Sequence, residues 1–152
     1  MPLIFRTFIW AFSLAALVLA SQILRDPLTP DLGNGPATTL AVVVEGVAVV
    51  YIVYITTDEY RAKPLGLRSP IGATRLILLD LLFVIFNSAL LSLAFAALGG
   101  ERSACSVVQD ETVDTRLCGK QKALAGILFM NLLGWLITFN ISILRLVSKI
   151  SR

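Results

Sequence analysis

The chain has 152 residues, of which 57% are hydrophobic and 15% charged, with a net charge of +3, two cysteines and no histidine. A mean hydropathy of +0.83 excludes a sizeable soluble domain beside a membrane-embedded one, so residues 1–152 read as a single domain. The basic surplus sits in short segments beside long apolar runs, which argues against nucleic acid as a partner and for a membrane surface.

Four apolar stretches follow one another: Leu3–Leu24, Thr38–Thr56, Arg75–Leu98 and Ala123–Leu146. Each has about the 20 residues that a helix needs to cross ~30 Å of hydrocarbon. Backbone groups in lipid must be paired within the segment, so the expected fold class is all-α: an integral membrane four-helix bundle.

The first stretch could pass for a signal peptide, with Arg6 in a basic region and Val18-Leu19-Ala20 before Ser21. Its apolar run is longer than a usual signal core, so it reads as a retained helix. Met1-Pro2 and a C-terminus without cysteine carry no lipidation signature. Pro27, Pro30, Gly33, Gly35 and Pro36 then mark a turn-forming loop between Arg25 and Ala37.

The second stretch carries an acid, Glu45, about 10 Å below one face of the membrane by helix rise. Asn131 on the fourth stretch falls at a comparable depth, and Asn87, Ser88 and Ser13 slightly deeper. These groups are expected to form one polar layer, because interhelical hydrogen bonds hold helices together in lipid. A charged Glu45 reads as functional and a protonated one, bonded to an amide, as structural; both readings stand. The loop over Thr57–Thr74 contains Pro64, Gly66, Pro70 and Gly72. Its Ser69-Pro70 pair reads either as a phosphorylation site or as ordinary loop.

The third stretch holds Asp80, about 9 Å from its near end. A charge at that depth costs at least ~2 kcal/mol unless paired, so it should face the bundle. Arg6 can reach it from the first helix along its flexible stem, and Arg75 is a local competitor. The pair reads as a proton or ion relay or as a structural ion pair. The lack of histidine and of a second nearby carboxylate favours the structural reading. Ser88, Ser92 and Ala96 recur every fourth position, as do Ala11 and Ala15, and Gly126 and Gly134 flatten the fourth helix. Small residues at such spacing are expected at helix contacts.

The loop Gly99–Gln121 is acidic and carries Cys105 and Cys118. In the fourth stretch Trp135 is too deep for an interfacial belt, unlike Trp10, Tyr51, Tyr54 and Tyr60, and reads as packed inside or offered to a partner. Asn140-Ile141-Ser142 matches a glycosylation sequon but lies within a helix, so it should be silent.

Orientation follows from the flanks. Arg6, Arg61, Lys63, Arg68, Arg75, Arg145, Lys149 and Arg152 share one side with Asp58 and Glu59. The other side has five basic residues (Arg25, Arg102, Arg116, Lys120 and Lys122) against Asp26, Asp31, Glu101, Asp110, Glu111 and Asp114. The positive-inside rule puts both termini in the cytoplasm. Cys105 and Cys118 are then exoplasmic and expected to form a disulfide; an inverted topology would leave two free thiols.

There is no metal-ligand cluster, no glycine-rich phosphate loop and no nucleophile beside a base. No catalysis, metal or cofactor is expected.

Four features resemble the MARVEL-type four-helix membrane proteins, especially small fungal members, and more distantly the plant Casparian-strip membrane proteins. They are Arg6 in the first helix, Leu79-Asp80-Leu81-Leu82-Phe83 in the third, the cysteine pair, and the stretch Lys122–Trp135. The resemblance implies a non-enzymatic organiser of membrane domains or vesicle traffic, and matches Arg6 and Asp80 to paired charges in helices one and three. Glu45 within the second helix departs from many fungal relatives. The expected function is therefore a membrane scaffold assembling laterally in the plasma or secretory-pathway membrane. The bilayer is its first partner, with further copies of itself or a larger integral membrane complex. The alternatives are an accessory subunit that packs on a transporter, synthase or oxidase, and a small oligomeric transporter or channel.

Overall fold

The structure is a computed structural model that describes residues 2–25, 35–61, 70–99, 105 and 114–151. The turn-forming residues Pro27, Pro30 and Gly33, the Ser69 hydroxyl, and the loop charges Asp26, Asp31, Lys63, Arg68, Glu101, Arg102, Asp110 and Glu111 lie outside the described residues, as does Arg152.

The described residues form four helices: α1 (Pro2–Leu24), α2 (Gly35–Arg61), α3 (Pro70–Gly99) and α4 (Asp114–Ile150). All four are long and apolar enough to cross a membrane. Proline stands at or next to the first residue of α1, α2 and α3, where its missing N–H costs no hydrogen bond and its fixed φ suits the helix. The helices run past the apolar stretches at several ends. Backbone pairing, once nucleated in the apolar segment, continues into flanks whose side chains are polar. α4 gains most, starting nine residues before Ala123 and reaching Ile150.

α1 lies against both α2 and α4, and α4 lies against α3; α2 touches α3 more sparingly, and among the described residues the backbones of the diagonal pairs α1–α3 and α2–α4 do not meet. Two apolar clusters fill the interior. One joins Ala16, Ala20 and Ile23 of α1 to Ala41 and Val44, Leu90, and Leu117, Leu124 and Leu128. The other joins Ile9, Ala48, Ile52, Phe83 and Trp135. Large apolar side chains such as Val43, Val50, Tyr54, Ile85, Phe95 and Leu144 point outward, the arrangement expected where the surrounding solvent is hydrocarbon.

The inward faces differ in part from the small-residue expectation. Ser88, Ser92 and Ala96 lie on the exposed side of α3, and Ala11 and Ala15 on the exposed side of α1. α3 instead buries Asp80, Phe83, Asn87 and Leu90, and α1 buries Ile9, Ser13, Ala16 and Ala20. The physical reason is that a polar group left in lipid costs more than a serine or alanine contact returns, so Asp80 and Asn87 fix the rotation of α3. Gly126 is also exposed, with open space where a Cβ would stand. Gly134 does lie at a helix contact: a Cβ there would meet Ile9 Cγ1 at 2.8 Å.

Candidate functional site

Polar side chains gather in two layers inside the bundle. The central layer takes one residue from each helix: Ser13, Glu45, Asn87 and Asn131, all at most 1% exposed. Asn131 Nδ2 is the hub. It stands 3.0 Å from Ser13 Oγ, 3.3 and 3.2 Å from the Glu45 carboxyl oxygens, and 3.3 Å from Asn87 Oδ1. The Asn87 amide donates to the Phe83 carbonyl at 3.1 Å. Ser88, next to Asn87, faces outward and takes no part in this layer.

The second layer forms around Asp80, two turns from Asn87 on α3 and 5% exposed. Tyr51 of α2 donates to one carboxyl oxygen at 3.4 Å and Ser142 of α4 to the other at 3.5 Å, both long contacts. The Arg6 charge of α1 acts on the same carboxylate. Arg75 is exposed.

Between the two layers lies an aromatic stack. Phe83 is 4.8 Å from both Tyr51 and Trp135, ring centre to ring centre, with the planes 29° and 13° apart. Trp135 is thus packed inside, and its Nε1 has no hydrogen-bond partner among the described residues. Asn140 bonds back to the Leu136 carbonyl at 2.8 Å within α4.

Sequence reasoning did not single out Tyr51 and Ser142 as partners of Asp80. Helical spacing carries the missing signal. Arg6 and Ser13, like Asp80 and Asn87, are seven residues apart, and Asn131 and Ser142 eleven, so each pair lies on one helix face two or three turns apart.

Cys105 and Cys118 are bonded to each other, with Cα atoms 5.0 Å apart, and pin the segment before α4 to that helix. Where α2 and α3 diverge, a cleft of about 30 Å³ is lined by Ala41, Leu90, Ala94 and Leu124 with Gln121. Small-molecule sites run to roughly 300–1,000 Å³. Among the described residues no three His, Cys, Asp or Glu side chains group as a metal site.

The profile of the SRF1 C-terminal domain matches residues 1–152. The chain belongs to the SRF1 C-terminal domain family. A Saccharomyces cerevisiae protein named "Regulator of phospholipase D SRF1" is 40% identical over 159 residues, which cover 96% of this chain. The chain spans about a third (36%) of that relative's length. No solved structure matches the chain. These matches carry nothing on the MARVEL-type or Casparian-strip proteins, and the relative's name describes a regulator, not an enzyme.

Proposed function

We propose that this domain is a non-enzymatic, membrane-spanning regulatory module that acts on a phospholipase D through lateral contact within the bilayer. The observation that carries the reading is the 40% identity to a protein named as a regulator of phospholipase D. The build of the domain supports it: polar side chains are spent on one another inside the bundle, and apolar surface is left for lipid and for other membrane segments. Both termini face the cytoplasm and Cys105 and Cys118 face outward, in the orientation that the flanking charges favour. The membrane is the plasma or a secretory-pathway membrane.

This reading combines the accessory-subunit and scaffold expectations: the domain is a fixed body on which a partner is held, alone or as an oligomer. Purification of the full protein in mild detergent, with phospholipase D activity assayed in membranes that contain or lack it, tests the idea. The expected outcome is a co-purifying phospholipase D whose activity changes when the protein is removed. Self-assembly alone, with unaltered phospholipase D activity, would return the domain to the organiser reading. Proton or cation flux in liposomes that vanishes in Glu45→Gln would make it a conductor and sink the regulatory reading.

A further inference from the structure

The cleft where α2 and α3 diverge contains a polar atom with nothing to bond. Gln121 of α4 lines it and is only 6% exposed, and its Oε1 is buried with no hydrogen-bond partner among the described residues. An occupant that brings a donor removes the penalty of that unmade bond. Thr38, the other polar residue of the lining, has interactions of its own. The rest of the wall is apolar, and Ala37 and Ala41 on α2 and Ala94 and Ala97 on α3 make much of it smooth.

We propose that this cleft is a binding site for a membrane sterol, whose 3β-hydroxyl donates to Gln121 Oε1 while its rings lie over the alanines. The inference rests on the membrane-spanning reading and does not depend on phospholipase D. Gln121 stands between Lys120 and Lys122, just ahead of the apolar stretch that begins at Ala123. Lysines at a helix end mark the headgroup boundary, and that is the level at which a sterol keeps its hydroxyl. From Gln121 the lining runs along α4 to Leu128, about 10 Å by helix rise. A phospholipid tail fills the ~15 Å of half a hydrocarbon core and would overrun it. No lining residue is charged, so a phosphate or ammonium headgroup finds no counter-charge there.

The recess itself, about 30 Å³, takes the hydroxyl and the carbon that bears it, at ~10–15 Å³ for each water-sized group. The rings lie outside the recess, along the gap where α2 and α3 touch only sparingly. A flat, rigid ring system rests on a wall of methyl groups and has few rotamers to lose, so ordering it costs less than ordering a flexible tail.

Photolabelling of the purified protein in phosphatidylcholine vesicles containing a trace of photoactivatable 3β-hydroxysterol tests this. Saturable labelling is expected on the α2 and α3 peptides that carry Ala37, Ala41, Ala94 and Ala97. Excess unlabelled sterol should displace it. The 3α epimer has the same composition but turns the hydroxyl away, and should compete about fivefold less well, the worth of one hydrogen bond. Gln121→Leu should weaken labelling by a similar factor, and Ala94→Phe, which fills the gap, should abolish it. Equal competition by the two epimers, labelling spread over all four helices, or equal labelling of the cleft by a photoactivatable phosphatidylcholine overturns the proposal on the wild-type protein alone. Alkaline carbonate extraction checks the membrane-spanning reading separately. Release of the protein would sink that reading and the sterol site with it, whereas retention without sterol labelling removes the sterol site only.

Discussion

Asp80 and Asn87, two turns apart on α3, both face the bundle axis, and each belongs to a layer to which all four helices contribute. The two layers lock the register of the helices. Sliding one helix by a turn would strand a carboxyl or an amide among the apolar side chains that lie between and beyond the layers.

That lock predicts how the central layer responds to substitution. Glu45→Leu removes two acceptors from Asn131 and should weaken the bundle by about 1–2 kcal/mol. Glu45→Gln keeps the shape and most of the hydrogen bonding, so assembly should survive it. Thermal melting in detergent separates the two; equal losses would show that the layer contributes nothing specific.

For Asp80, a double-mutant cycle is decisive. Arg6→Ala and Asp80→Asn should each lower stability, since each leaves a polar or charged group uncompensated inside the bundle, and the double variant should recover part of the loss. Tyr51→Phe and Ser142→Ala remove long hydrogen bonds and should cost less, about 0.5–1.5 kcal/mol each. Strictly additive losses for Arg6 and Asp80 would show that the two do not interact.

The glycines of α4 offer a contrast within a single helix. Gly134→Ala places a methyl group 2.8 Å from Ile9 Cγ1, and a β-branched neighbour has little freedom to yield. Overpacking of this kind costs about 1–3 kcal/mol. Gly126→Ala meets nothing within 4 Å and should be neutral or stabilising by up to about 1 kcal/mol through helix propensity. Melting temperatures that move in the same direction would contradict the packing described here.

The disulfide makes a prediction about both topology and stability. With Cys105 bonded to Cys118, an impermeant thiol reagent should label neither on intact cells and both after an impermeant reductant. Labelling only after permeabilisation would invert the orientation. Replacing both cysteines with serine should cost about 3 kcal/mol by loop-closure entropy, read as a lower melting temperature.

The number and class of the helices are legible in the sequence, because 20-residue apolar runs have few other physical solutions. The central layer is legible in part: Glu45, Asn87 and Asn131 are polar residues deep in their stretches, and the structure brings them together. The inward faces are less so. α2 and α3 are apolar nearly all round, and Ser88-Ser92-Ala96 has the right spacing for a contact on whichever face it lies. Only Asp80 and Asn87 settle the rotation of α3, since hydrocarbon penalises their exposure far more than it rewards a small-residue contact. Tyr51 escapes notice as a partner of Asp80 because a tyrosine near a helix end also suits the headgroup layer. Gly126 and Gly134 differ only in which neighbour α1 brings to them, a tertiary fact that local sequence does not encode.

α4 has one more consequence. At 37 residues it is about 55 Å long, against ~30 Å of hydrocarbon, and its first turns carry the covalent bond to Cys105. It is an unbroken rod that joins the disulfide-tethered segment to the far end at Ile150 and touches both α1 and α3 on the way. A tilt imposed at the tethered end would be amplified at the other as displacement of the whole last turn. Were α4 to cross a membrane, as its length and composition allow, such a rod would carry a tilt at one face to the opposite face.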